Sequence, residues 1–191
     1  MKYGILLLFI IAPLTLLSQC PEKNTPIVFV HGYLASGDTY AYPVQRFRQN
    51  GYCPEQLRVF DWNSVATEKG KKVYDSLNRF IQQVLQQTGA KKVHLAGHSA
   101  GSGIGRSFLI DSVNARLIDK YIHLAGRPWY FELPHFTNNR ALNIFSHADM
   151  VVKGGDTISG AENIAFTDKD HYEVATCEET FVAMYRFFNN R

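Results

Sequence analysis

In the run Gly97-His98-Ser99-Ala100-Gly101, one serine stands between two glycines, each two positions away. The apolar stretch Val93-His94-Leu95-Ala96 leads into it, and small residues follow from Ser102. That order describes a buried strand that reverses sharply and enters a helix at about Ser102, with a serine hydroxyl at the tip of the turn. Side chains two places to either side of the serine would collide with the crossing helix and strand, so Gly97 and Gly101 meet a steric demand. A hydroxyl presented in this way is a nucleophile in waiting. It is too weakly acidic to attack an ester unaided and needs a neighbouring base.

The other two members of such a constellation appear further along the chain. Asp149 follows the apolar run Asn143-Ile144-Phe145-Ser146 by a few residues, and His171 lies between the last strand pattern and the closing helix. In a parallel sheet, loops at the carboxyl ends of strands converge, so Ser99, Asp149 and His171 are expected at one rim, in the order serine, acid, histidine. His171 would take the serine proton and return it to the leaving alcohol, while Asp149 would hold the imidazole tautomer and stabilise the imidazolium.

Competing residues are placed differently. Asp156 is the nearest alternative acid, whereas Asp168 and Asp170 lie so close to His171 that the loop would have to double back. Of the seven histidines, His94 and His123 fall inside strand patterns, and His98 takes the second position of the turn. His135 and His147 lie in loops. The tetrahedral intermediate needs two donors for its oxyanion. The backbone N–H of Ala100 is one, and that of Tyr33, in the loop after the first strand, is the other. His31 is expected to prop that loop through its ring nitrogens.

The elements that position these residues can be read from periodicity. Ile27-Val28-Phe29-Val30 suits a strand buried on both faces, and Arg58 to Trp62 reads as the second strand. A helix is expected from Thr39 to Asn50, and a longer amphipathic one from Val65 to Thr88, with Val73, Leu77, Phe80, Ile81, Val84 and Leu85 on one face. Strands are expected at Lys120–Gly126, Ala141–Ser146 and Glu162–Thr167, and a closing helix at Tyr172–Asn189. Alternating strands and helices imply an α/β fold, a mostly parallel sheet of about six strands with helices on both faces. The stretch Arg127 to Arg140 is irregular and aromatic.

The chain has 191 residues and a net charge of +3, too small to suggest nucleic acid as a partner. Lys2 followed by the apolar run Ile5 to Leu17 resembles an export signal, too short and too near the terminus to favour a membrane span. The expected division is a signal over residues 1–19 and one domain over 20–191, secreted or periplasmic. Leu17-Ser18-Gln19-Cys20 also resembles a lipoprotein box, although Gln19 departs from its pattern, so anchoring through Cys20 is the alternative. Of the three cysteines, Cys20, Cys53 and Cys177, the first two precede strands expected side by side, which favours a Cys20–Cys53 disulfide. No cluster has metal-ligand spacing and no glycine-rich loop has phosphate-binding form, so no metal and no cofactor are expected.

With these residues in view, the sequence resembles the small, lidless secreted lipases of the α/β-hydrolase superfamily, the lipase class 2 type. The resemblance rests on Pro26-Ile27-Val28-Phe29-Val30-His31-Gly32, on Thr88 to Val93 leading into the serine turn, on Ser146-His147-Ala148-Asp149-Met150-Val151-Val152, and on Ser159 to Asn163 with the following His171. It implies a minimal α/β-hydrolase fold and a carboxylic ester hydrolase; the protein is expected to be a monomer. Its substrates would be glycerides or other lipid esters, met in transient contact with a lipid interface, with Ser99, Asp149 and His171 as triad and Tyr33 and Ala100 as oxyanion donors.

The sequence departs from that family where Leu34-Ala35-Ser36-Gly37 replaces a more glycine-rich stretch, which could reshape the mouth of the site. The Gly126 to Arg140 stretch is shorter and more aromatic than the family suggests. Tyr33, Trp129, Tyr130 and Phe131, with Leu133 and Phe136, could line a substrate groove; equally, they could pack an insertion onto the sheet. A polyester depolymerase or an acyltransferase would use the same three residues, and a hydrolase-like binding protein would have lost one of them.

Overall fold

The computed structural model describes residues 24–65, 70–153 and 155–190. The expected signal segment, Cys20 and therefore the Cys20–Cys53 pairing lie outside the described residues; Cys177 is a free thiol.

Apolar, β-branched runs with no polar alternation can be satisfied only by burial on both faces. Such runs form the middle of one six-stranded sheet, whose strands are β1 (Ile27–Val30), β2 (Leu57–Phe60), β3 (Val93–His98), β4 (Ile118–Leu124), β5 (Ala141–Ser146) and β6 (Glu162–Phe166); the edge strands β2 and β6 are only partly buried. The order is β2-β1-β3-β4-β5-β6 and every neighbouring pair is parallel. On one face Val28, Val30, Val93, Leu95 and Tyr121 pack against α2 (Lys71–Thr88) and α3 (Ala100–Ile110). On the other, Ile27, Phe29, Ile122, Leu124, Leu142 and Ile144 meet Phe47 of α1 (Ala41–Gln49) and Phe181, Met184 and Phe188 near the C-terminus. A one-turn helix, α4 (Ser112–Ala115), follows α3, with Asp111 accepting from the Val113 and Asn114 N–H groups.

The strand order reverses between β1 and β3. Crossovers leave β1 toward β2 on one side and reach β3 on the other, which opens a crevice at the carboxyl ends of these two strands. The serine turn and the loop after β1 are the two segments that emerge there.

Several boundaries differ from expectation, each for a local reason. β2 ends at Phe60 because Trp62 leaves the ladder: its backbone N–H goes to His31 Nε2 at 3.1 Å and its indole N–H to the His31 carbonyl at 2.9 Å. Helix α3 begins at Ala100, directly after the serine, rather than at Ser102. Strand β4 starts at Ile118 and stops at Leu124, because Ala125 turns to φ 45°. Helix α2 starts at Lys71; residues 66–69 lie outside the described residues. The closing helix is broken at Cys177, whose extended backbone (ψ 160°) separates α5 (Glu173–Thr176) from α6 (Glu178–Asn189). The Asp170 carboxylate starts α5 by accepting from the N–H groups of Tyr172 and Glu173.

The packing of α3 on the sheet leaves no room for side chains at two points. A Cβ on Gly97 would stand 2.5 Å from the Gly101 carbonyl oxygen, and one on Gly101 would stand 2.6 Å from the His31 carbonyl oxygen, with Val30 nearer still. These neighbours are backbone and cannot swing aside. Gly103, one turn into the same helix, faces open space. Gly101→Ala is therefore expected to destabilise the protein by about 3 kcal/mol or more, and Gly103→Ala to stabilise it by about 0.5–1 kcal/mol. Urea unfolding of the two variants checks both signs.

Candidate active site

Ser99 occupies the residue between β3 and α3 with φ 54° and ψ −119°. A non-glycine residue in that region carries strain of about 1–3 kcal/mol, sustained only where the surroundings fix it. Here its N–H is held by the Leu124 carbonyl of β4 at 2.9 Å, and its own carbonyl accepts from Ser102 N–H at 3.0 Å. The Ser102 hydroxyl, fully buried, lies 2.6 Å from the Gly97 carbonyl and accepts from Leu124 N–H at 3.2 Å. The turn is thus tied to β4 from both sides.

Asp149 and His171, far apart in the chain, meet at 2.7 Å through Asp149 Oδ2 and His171 Nδ1. The carboxylate is nearly inaccessible and the imidazole largely covered. Asp149 Oδ1 accepts from the N–H groups of Val151 and Val152 at 2.8 and 2.9 Å. Burial pushes the Asp149 carboxyl up, but the bonds from His171 and from the Val152 and Val151 backbone outweigh it and hold the group below the usual carboxylate range. With Asp149 accepting, the proton sits on Nδ1 and the lone pair of the ring on Nε2.

Ser99 and His171 line one cavity of about 450 Å³, together with Gly32, Tyr33, Leu34, Asp38, His98 and Tyr172. Ala100 opens α3 beside the serine, so its N–H is one of the free donors at a helix start. Tyr33 follows Gly32, where a Cβ would stand 3.0 Å from Ser99 Cβ; the loop after β1 therefore lies directly against the serine. Buried His31 braces it: its Nδ1 is 2.8 Å from the Gly32 carbonyl and its Nε2 is 2.9 Å from Asp61 Oδ1. Leu34, at φ 55°, gives its N–H to Ser64 Oγ at 3.0 Å.

The competing residues stand apart from this arrangement. Asp156 is exposed and accepts from Thr157 N–H, Asp168 is exposed beside Lys169, and Asp170 is committed to the start of α5. His94 and His123 are buried in their strands and both pushed down to about 3, first by burial.

Of the aromatic groove, Trp129 belongs to the core: it is buried and donates its indole N–H to Asn138 Oδ1 at 3.3 Å. Leu133 and Phe136 are buried with it. Tyr130 and Phe131 are exposed, but neither lines the serine cavity. The insertion therefore packs onto the sheet, and Tyr33 alone of the expected substrate contacts borders Ser99. A larger cavity of about 640 Å³ between β6 and α6 holds none of the site residues. Among the described residues no group of three or more His, Cys, Asp or Glu could hold a metal ion.

Sequence reasoning missed three supports. Ser64 and Trp62 reach the β1 loop from thirty residues away and carry no local signal. His98 was seen only as a neighbour of Ser99, yet its Nε2 lies 2.9 Å from the His171 carbonyl.

The family described as Lipase (class 2) matches residues 24–121. Among solved structures, a lipase of Bacillus licheniformis in its mature form superposes with a TM-score of 0.66 at 16% identity, over 86% of this chain and 92% of that one. An α/β serine hydrolase without a lid from Xanthomonas campestris gives 0.60 at 16%, over 87% and 83%. A carboxylesterase of Nitrososphaera gargenis gives 0.63 at 13%, over 89% and 91%. The six-stranded parallel sheet is the α/β-hydrolase fold these proteins share.

Because Asp149 is held below the ordinary carboxylate range, it adds stability that is complete above that range and is lost as pH falls through its folded value. Asp149→Asn removes the contribution. Acid unfolding followed by fluorescence is expected to show the largest gap between wild type and variant near neutral pH, closing as the pH falls below the ordinary carboxylate range.

Proposed function

Because the chain belongs to the class 2 lipase family, a family of ester-cleaving hydrolases, we propose that it is a secreted serine carboxylic ester hydrolase acting through an acyl-enzyme. The observation that carries this reading is the 2.7 Å contact of His171 Nδ1 with Asp149 Oδ2 beside a cavity that His171 shares with Ser99.

In this reading Ser99 Oγ attacks the ester carbonyl carbon as His171 Nε2 takes its proton. The tetrahedral oxygen is met by the backbone N–H groups of Ala100 and Tyr33, fixed in place before the charge develops. Collapse expels the alcohol, which leaves with the proton from His171, and the acyl group stays on Ser99. Water then attacks the acyl carbon through the same base, and the acid is released. Asp149 remains ionised throughout and balances the imidazolium.

The lipid-ester preference is supported by the exposed apolar side chains of the same loops: Tyr33 and Leu34 after β1, Met150 and Val151 after Asp149, and Tyr172 after His171. Tyr33, Leu34 and Tyr172 line the cavity itself, and exposed apolar side chains there suit brief contact with a lipid surface. Export is supported by the Lys2 and Ile5–Leu17 pattern at the start of the chain.

Ser99→Ala is expected to lower kcat by on the order of 10⁶-fold on a soluble ester while leaving the unfolding midpoint nearly unchanged, because the three residues act as a unit. Peptide mapping after reaction with a serine-directed phosphonate is expected to place the label on Ser99. Label on another serine, or turnover surviving in the variant, would overturn the assignment.

A further inference from the structure

His98 is buried between the two loops that shape the serine cavity. One edge of its ring bears on the loop carrying His171: Nε2 lies 2.9 Å from the His171 backbone carbonyl, and the two imidazole centroids are 4.8 Å apart. The other edge faces the loop after β1, where a Cβ on Gly32 would stand 3.3 Å from Nδ1. Tyr172 closes the third side with its ring edge-on.

The chemistry of the pair fixes the proton. A carbonyl oxygen only accepts, so Nε2 must donate and Nδ1 keeps its lone pair. Among the described residues no hydrogen-bond partner reaches that Nδ1. A buried nitrogen without a partner is a cost that an apolar residue of similar size would avoid. The chain bears it at the residue next to the nucleophile, where the compensating contact is with the backbone of the base. Burial pushes the His98 ring down to about 4, with the positive charge of His171 acting the same way. It is therefore a donor without charge, and it can sit beside the imidazolium of the transition state without opposing it.

Building on the serine-hydrolase reading above, we propose that His98 is a positioning residue: its Nε2–H bond to the His171 carbonyl holds the base at its working distance from Ser99. The bond runs directly from the strand that presents the nucleophile to the loop that presents the base, whereas Asp149 reaches His171 from the loop after β5. With this bond, Ser99 and His171 share one anchor, since His98 and Ser99 are consecutive residues of a rigid turn. His98 is nearly inaccessible at the cavity wall, so a side chain of similar volume there changes the binding surface little, while loss of the bond lets the base drift; the damage falls mainly on kcat and not on KM.

The test is a three-variant series assayed on a soluble p-nitrophenyl ester, with the rate of phosphonate labelling of Ser99 measured in parallel. His98→Leu keeps the volume and removes the donor. It is expected to lower kcat roughly 10- to 100-fold with KM within about three-fold, and to slow labelling by the same factor. His98→Gln places an amide N–H near the position of Nε2 and is expected to restore kcat to within about three-fold of wild type. His98→Asn, whose amide ends one bond short, is expected to behave like the leucine variant. The inference is overturned if His98→Leu turns over at the wild-type rate, or if the glutamine and asparagine variants lose kcat equally. Should the leucine variant fail to fold, the glutamine and asparagine pair decides alone. Failure of the hydrolase reading itself looks different: wild-type protein would then leave Ser99 unlabelled.

Discussion

Backbone packed against backbone is the constraint on which the site depends. Gly101 brings the first turn of α3 onto the carbonyl groups of Val30 and His31, where no side chain fits. That contact fixes the separation of β1 and β3 at the point where the strand order reverses. The loop after β1 consequently lies against Ser99, and a donor from that loop and a donor from α3 can point into one small volume. No hydrogen bond between side chains could set this distance as firmly, because side chains have rotamers and these peptide groups do not.

The buried and partly buried histidines divide into two kinds. His94, His98 and His123 are buried and neutral, pushed to about 3 or 4 by loss of solvent. His31 is buried as well and serves the loop after β1. His171 alone pairs with a buried carboxylate that stays ionised, and it borders the open cavity. The carboxylates near His31 and His94, Asp61 and Asp119, are solvent-exposed, whereas the one beside His171 is buried, so only there is a positive imidazole balanced inside the protein. The same side chain is thus a scaffold in one place and, beside Asp149, a group whose charge would be balanced in another.

Much of this could be read from the chain. The spacing of Gly97, Ser99 and Gly101 reports a local steric problem, and local problems leave local signals. Asp149 and His171 were legible because parallel topology sends the ends of strands to one rim. The aromatic stretch was not, since Trp129, Leu133 and Phe136 have the composition of a groove and of a core alike. Only the partner of the indole N–H, Asn138, separates the two, and that pairing is tertiary. The supports from Trp62, Ser64 and His98 share this character: each acts through a hydrogen bond to backbone that comes close only in the folded chain. Helix ends were misjudged where one residue changed conformation, as Cys177 does between α5 and α6.

Because the insertion packs inward, selection among substrates falls to what remains at the cavity. Its wall on the β1 side is Tyr33 to Thr39, excluding Gly37, and its opposite wall includes His171 and Tyr172. Leu34 and Ala35 carry side chains where the family resemblance leads one to expect glycine, and Leu34 holds a left-handed backbone tied to Ser64. A side chain at such a position is costly, and the tie from Ser64 removes freedom the loop would otherwise have. The backbone of Tyr33, the proposed oxyanion donor, and the mouth of the site therefore sit on one stiffened segment. A change that widens the mouth there also shifts the donor, so in this fold the range of esters accepted and the rate at which they are cleaved are not independent.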